Sequence, residues 1–435
     1  MKGKDPMYRS RKVHMPLFLE HSRLLKALMA SVIAVSFLMG SFAAAGTGDI
    51  VIIERICSQK EDGLNLAVAN IHNFVSETTP DIEIGKSIEK NKARILNLVD
   101  IAKEKGANMI LFPEFCLTGY FWADPNWKKE EKAEQQRQSS VSQAARKRDP
   151  HRELVDAYNP KGYAPCWAYM NKGALDNHKA WLKQLKSKLD EKLQYIIFNA
   201  LRRDPAHPST VAGPGNKLLN STYVLDKNFD CDDLSKNDET RIYDKTFLPG
   251  IENVYEKSGQ DDVLVIETPW GRFGFTTCYD MCFSQLYETY GMKNRVDGVI
   301  ELASWRGPAV RSYPMMNVRT DEYYGYQWNI MAAARAVTNQ IWIIACNSVG
   351  VQRKGNYNFW GSSGLWAPSG IPLFQASNYQ EELCMLHQVD IRYEVESEAH
   401  AFDFYNSFKK IYRPILGMRT FTRMEKQPNT DDDKK

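Results

Sequence analysis

Short apolar runs recur along this chain with helical stretches between them, and several runs break off on a polar island. Ile50-Val51-Ile52-Ile53 reads as a first buried strand, and Ile84, Ile88, Ile95, Leu98, Val99 and Ala102 mark a helix from Ile84 to Lys105. Gly106 stands where a C-terminal cap belongs, and Ala107 to Phe112 is a short strand stopped by Pro113. The alternation returns as a helix over Lys179 to Lys192 and a strand over Tyr195 to Ala200. A strand pair follows, Val263 to Ile266 and Arg272 to Thr277, joined by Pro269-Trp270-Gly271. Then come a strand over Gly298 to Ala303, a helix around Trp328 to Asn339 and a strand over Ile341 to Cys346. Strand and helix in alternation pack as layers, so the chain is expected to be a layered α/β protein.

The two ends and one internal stretch depart from this pattern. Lys2, Lys4, Arg9, Arg11, Lys12, Arg23 and Lys26 precede an uncharged run from Ala27 to Ala45 that closes on Ala43-Ala44-Ala45 before Gly46. That is the layout of a cleavable secretory signal over residues 1–45, with an uncleaved anchor as its rival. The expectation is an exported protein, periplasmic or secreted, with no stable membrane contact once the signal is removed. Residues 124–153 are nearly free of aliphatic side chains and read as a solvated insertion within a domain spanning 46–413. Residues 414–435 read as an extension and disordered tail. A net charge of +3 points to neither nucleic acid nor an anionic membrane as a partner.

Cysteine usage excludes a disulfide-stapled miniprotein. The eight cysteines, Cys57, Cys116, Cys166, Cys231, Cys278, Cys282, Cys346 and Cys384, are too widely spread. Cys278 and Cys282 form C-x3-C, but no second Cys or His pair sits at zinc-ligand spacing, so no metal site is expected. If Cys278 is a free thiol, seven remain, and at least one more is unpaired within the chain. Asn220-Ser221-Thr222 is a glycosylation sequon in a eukaryotic host and a plain loop in a bacterial one.

Three islands carry chemistry: Phe112-Pro113-Glu114-Phe115, Tyr243-Asp244-Lys245-Thr246 and Thr276-Thr277-Cys278-Tyr279-Asp280. Each follows a strand-like run, and open α/β sheets put their sites at the carboxyl ends of strands. Cleaving an amide needs a strong nucleophile, a proton shuttle and a stabiliser of oxyanion charge. A free thiol has a pKa of about 8.5, so Cys278 needs a cation or a base beside it. Burial at a strand end would suit Glu114 to the base's part, and Lys245 with the Tyr279 backbone N–H would hold the oxyanion. Taken singly, each residue has a plainer reading: a core Cys, a turn Glu, a solvated Lys.

The islands, quoted in order, resemble the signatures of the nitrilase superfamily of carbon-nitrogen hydrolases. Pro113-Glu114 with Gly119-Tyr120 is similar to the first signature, and Tyr243-Asp244-Lys245 with Leu248-Pro249-Gly250 to the lysine motif. Gly271-Arg272-Phe273-Gly274 running into Thr277-Cys278-Tyr279-Asp280 is similar to the nucleophile motif. Further echoes are Glu301-Leu302-Ala303-Ser304-Trp305, Ala334-Arg335-Ala336 and Asn347-Ser348-Val349-Gly350. The resemblance implies an α-β-β-α sandwich, a homo-oligomer assembled through a helical face, no cofactor, and a triad of Glu114, Lys245 and Cys278. A second glutamate supports the lysine in many members. Glu252 is taken for that role, with Glu256 as its competitor and as a candidate at the substrate.

The substrate expected is a small-molecule amide. Nitrile-hydrolysing members usually carry Trp-Glu after the nucleophile, whereas this chain has Tyr279-Asp280; N-carbamoyl amine and nitrile hydrolysis remain alternatives. Met281-Cys282-Phe283-Ser284-Gln285 lacks the Arg and the Pro-Glu that follow in dicarboxylate amidases. Tyr120, Trp122, Tyr279 and Trp305 are expected to line the pocket. Two other functions compete: a Cys-His peptidase using His387, and a non-catalytic binding protein on the same fold.

Overall fold

In the central strands both faces are buried, and that decides the layering. Successive side chains of a strand point to opposite faces. The computed structural model describes residues 50–75, 85–120, 169–205, 218–249, 252, 256, 258–259, 263–307, 311–316, 318–320, 322–352, 357–407 and 409–410. The expected signal over 1–45, the insertion over 124–153, the tail over 414–435, Trp122 and Cys166 lie outside the described residues.

The described residues from Ile50 onward form one unit with two large sheets. The strands are β1 (Val51–Ile56), β2 (Leu64–Asn70), β3 (Met109–Leu111), β4 (Tyr195–Arg203), β5 (Leu218–Leu225) and β6 (Ile242–Asp244), then β7 (Val265–Thr268), β8 (Gly271–Thr277) and β9 (Gly298–Ala303). After these come β10 (Arg311–Tyr313), β11 (Val318–Thr320), β12 (Trp342–Asn347), β13 (Val349–Gln352), β14 (Tyr357–Trp360), β15 (Gly364–Trp366), β16 (Pro372–Gln375) and β17 (Glu382–Val389). The first sheet runs β1-β17-β2-β3-β4-β5-β6 and the second β16-β15-β12-β9-β8-β7; β10 with β11 and β13 with β14 form two small ribbons. Helices α1 (Lys86–Glu104), α2 (Lys179–Lys186), α3 (Ser284–Glu288), α4 (Tyr323–Asn339) and α5 (Ile391–Ala401) accompany them.

Alternation sorts the apolar side chains into three clusters. Leu66, Val68, Leu111 and Ile197 of the first sheet meet Phe273, Phe275, Ile300, Leu302 and Ile344 of the second in one inner core. On the far face of the first sheet, Ala67, Ala69, Ile110, Ile196 and Phe198 pack against Ile95, Leu98 and Val99 of α1 and Leu182 and Leu185 of α2. Beyond the second sheet, Val299, Ile343 and Ala345 pack against Trp328, Ala332 and Ala336 of α4. The order is helix, sheet, sheet, helix, as expected. Each fully buried large aliphatic or Phe side chain contributes roughly 1.5–3 kcal/mol, so the double core dominates stability.

Parallel pairing sets the strand ends that matter. β2, β3 and β4 run parallel, as do β8, β9 and β12. α1 delivers the chain into β3 through a sharp stop: Gly106 takes φ 80°, its N–H donates to Lys103 O, and Ala107 N–H donates to Ala102 O. Those bonds satisfy the helix's last carbonyls, and the left-handed conformation favours glycine.

Three sequence expectations need correction. The first strand is not buried: among the described residues β1 is an edge strand paired with β17 alone, and five of its six residues are exposed, with Ile56 at 73%. An apolar run reads the same whether it is covered or lies at a sheet edge. The helix expected to reach Lys192 ends at Lys186, because Asp190 folds the next residues into a turn by accepting from the N–H of Lys192 and Leu193, both at 2.8 Å. The sequon is neither loop nor surface: Asn220 lies inside β5 and is 1% exposed.

Candidate active site

Glu114 enters the site where β3 has ended at Leu111 and the chain turns away. Phe115 takes φ 53° there, an uncommon conformation for a side-chain-bearing residue. Asn199 of β4 holds that turn: its Oδ1 accepts from Phe115 N–H at 2.9 Å and its carbonyl from Cys116 N–H at 3.1 Å. The Glu114 carboxylate is fully buried. Its Oε1 accepts from Lys245 Nζ at 2.8 Å and Asn220 Nδ2 at 2.9 Å, and its Oε2 from Ser304 N–H at 2.9 Å. Asn73 and the Ser304 hydroxyl bind its backbone carbonyl. A carboxylate so surrounded cannot swing away without stranding several donors.

Lys245 follows β6 and is 1% exposed. Its backbone N–H donates to Asn220 O at 2.8 Å, continuing the β5–β6 ladder one residue past the strand. Its ammonium bonds Glu114 and also Glu252 Oε2, at 2.7 Å. Glu252 Oε1 accepts from Tyr120 OH at 2.9 Å. Burial opposes the charge on Lys245, yet the carboxylates of Glu114 and Glu252 outweigh it and hold the ammonium well above the usual lysine range. Burial pushes Glu252 up to about 7 against the pull of Lys245. One residue before the lysine, Asp244 takes a two-pronged bond from Arg202, whose Nε and Nη2 donate at 3.1 and 2.6 Å. That brace fixes the strand end from which the ammonium projects.

Cys278 leaves β8 in the left-handed region, with φ 52°, and opens a short 3-10 turn over Cys278–Cys282. Asp280 builds the turn. Its Oδ2 accepts from Thr277 N–H at 2.9 Å and Tyr243 OH at 2.7 Å, its Oδ1 from Phe247 N–H at 2.8 Å, and Thr277 caps the turn in return. Burial raises Asp280 to about 6. The Cys278 thiol is pushed well above its usual value, first by burial and then by the charge of Glu114, with Lys245 pulling the other way. An unaided thiol here is protonated at neutral pH, so reaction requires a base.

The remaining expected residues fall in different surroundings. Tyr120 reaches the site through its hydroxyl on Glu252, and its backbone is clamped by Gln352. Trp305 packs in the same apolar cluster as Cys278 and donates its indole N–H to Tyr324 O at 2.9 Å. Tyr279 is 36% exposed and sets its ring edge-on to Phe283, which stacks on Phe247. Glu256 is 1% exposed and four residues beyond Glu252, whose carbonyl its N–H bonds. His387 lies on β17 beside Glu54. All seven described cysteines are free thiols.

Asn220, Asn199 and Asp280 were not singled out as site residues from sequence. Asn220 carried a misleading signal, the sequon. Asn199 and Asn220 do share one: each is a polar residue inside an otherwise apolar strand, and Asn199 Nδ2 donates to Asn220 Oδ1 at 2.7 Å.

Known proteins resemble this chain in sequence and in fold. The sequence profile of the carbon-nitrogen hydrolase family matches residues 80–395. A probable nitrilase of Schizosaccharomyces pombe is 26% identical over 150 residues, 34% of this chain and 48% of that protein. The omega-amidase of Homo sapiens is 29% identical over 203 residues, 46% of this chain and 62% of its own length. The chain thus spans about half to three-fifths of the length of those two relatives. A carbon-nitrogen hydrolase from Helicobacter pylori shares the fold, with a TM-score of 0.51 at 17% identity over 81% of this chain and 98% of the other.

Proposed function

The chain belongs to the carbon-nitrogen hydrolase family, and from that membership we propose that it cleaves a small-molecule amide through a thioester on Cys278. The observation that carries the reading is the buried ion pair of Glu114 and Lys245, 2.8 Å long, whose charges both act on the Cys278 thiol. In this mechanism the thiol proton passes to Glu114 and the sulfur attacks the amide carbonyl carbon. Lys245 Nζ and the Tyr279 N–H stabilise the oxyanion, the N–H lying in the first turn of a short helix, where such groups have no intrahelical partner. Glu114 returns the proton to nitrogen as the C–N bond breaks, and ammonia or an amine leaves. Water then gives a proton to Glu114 and attacks the thioester; the C–S bond breaks, and the carboxylic acid and the thiol are formed.

Glu252 acts through Lys245. It shares the ammonium with Glu114 and is itself held by Tyr120, so it fixes where the cation sits. Tyr279-Asp280 after the nucleophile favours amide over nitrile, and the omega-amidase relative supports the same choice.

Ammonia release from primary amides, N-carbamoyl amines and nitriles tests the reading. Cys278→Ala is expected to lose at least about 10^4-fold in kcat, as removal of a covalent nucleophile does, and Glu114→Gln about 10^2- to 10^4-fold as a lost proton shuttle. Equal turnover by wild type and Cys278→Ala overturns it.

A further inference from the structure

The hydrolytic steps leave one carboxyl group of this cluster unused. Glu256 is 1% exposed, its N–H bonds Glu252 O at 2.8 Å, and it bridges to Leu218 at the start of β5. The charges that act on its carboxyl are those of Glu252, Lys245 and Glu114, so it faces the same buried group as the proposed triad. Neither of its carboxyl oxygens accepts a hydrogen bond among the described residues. Tyr120 OH and Lys245 Nζ bond Glu252 and not Glu256. Burial and the charge of Glu252 favour a proton on Glu256, and that proton can be donated to Glu252. One Glu256 oxygen is then still an acceptor without a donor, which buried polar groups rarely remain.

Charge narrows what can supply that donor. Glu114 and Glu252 already share the single ammonium of Lys245, and Glu256 adds a third carboxyl group beside them. Carboxyl groups in such a majority give a substrate carboxylate no partner and favour nitrogen donors.

We propose that Glu256 is a specificity-determining residue whose free carboxyl oxygen accepts an N–H from a second nitrogen on the substrate, besides the scissile one. The substrate class is then amides that carry an ammonium or a further carboxamide close to the scissile carbonyl. This rests on the amide reading for the identity of the scissile group, but its test reads binding alone. An apolar analogue pays for leaving the acceptor unpaired, and sites built around a hydrogen bond discriminate strongly against such analogues.

The experiment is calorimetric binding of pentanamide, 4-aminobutanamide and butanediamide to the full chain carrying Cys278→Ser, which cannot form the thioester. At least one of the two nitrogen-bearing amides is expected to bind about tenfold or more tightly than pentanamide, and Glu256→Leu on that background to reduce the advantage to about twofold or less. Glu256→Gln separates the sources: it keeps a carbonyl acceptor for a neutral N–H but removes the titratable proton whose loss lets the carboxyl pair with an ammonium. Equal binding of the three amides, binding of none, or an advantage that survives Glu256→Leu overturns the proposal. Should Glu256→Leu fail to fold by its melting curve, the preference shown by Cys278→Ser alone decides. No preference in Cys278→Ser, with turnover intact in wild type, defeats this inference and leaves the hydrolase reading standing; turnover unchanged in Cys278→Ala does the reverse.

Discussion

The two sheets contribute unlike halves of the site. The first supplies Glu114 and Lys245 in a lattice of direct bonds, with Asn220, Glu252 and Tyr120 closing it. The second supplies Cys278 at a left-handed turn, held by packing against Trp305 and Trp328 and by the Asp280 cap below it. The difference teaches which half is stability and which is reactivity. Charges buried on the first sheet persist only while each has its partner. The thiol is neutral at rest and asks nothing of its surroundings except a base at the right moment.

Breaking the first half is expected to have the largest effect. Lys245→Ala strands two buried carboxylates and is expected to lose about 3–5 kcal/mol of stability, where Cys278→Ala loses about 1–2 kcal/mol at most. Urea unfolding of the two variants checks this, and equal losses would erase the distinction between the sheets. Next in size is Asn220→Ala, which removes a hydrogen bond to a charged group worth about 1.5–3 kcal/mol, and so is expected to lower kcat roughly tenfold to a hundredfold. Steady-state ammonia release measures it, and a kcat within twofold of wild type would show that Glu114 needs no such partner.

The smallest effect sharpens the comparison through pH. Glu252 titrates at about 7 in the fold against an ordinary 4.5, so folding favours its protonated form. Its stabilising share is therefore complete below pH 4.5 and is lost as pH rises through about 7. Asp280 behaves alike between 3.8 and about 6. The melting temperature of wild type is expected to drop across that window relative to Glu252→Gln, by a few degrees for each kcal/mol. Parallel curves for the two proteins would remove Glu252 from this account.

Much of this was legible in the residues. Glu114, Lys245 and Cys278 each end a strand-like run, and strand and helix alternate through most of the described chain, so the layered fold and the contact of Glu114 with Lys245 followed from spacing and resemblance. Asn220 did not, since a sequon is a local pattern and burial is a property of the sheet around it. β1 misled for a related reason: Ile50 to Ile53 is apolar, but nothing in it says that, among the described strands, β17 alone would pair with it. Glu252 and Glu256 lie one helical turn apart in sequence, and only the fold tells which carboxylate the ammonium reaches.

Central to the proposed function is a covalent bond between the second sheet's sulfur and the substrate's acyl carbon. Acid quenching during turnover of an amide, followed by peptide mass spectrometry, tests it most directly. The acyl mass is expected on the peptide that contains Cys278, and to be absent from Cys278→Ala. An acyl group on another residue, or turnover that continues in Cys278→Ala with no adduct formed, would contradict it.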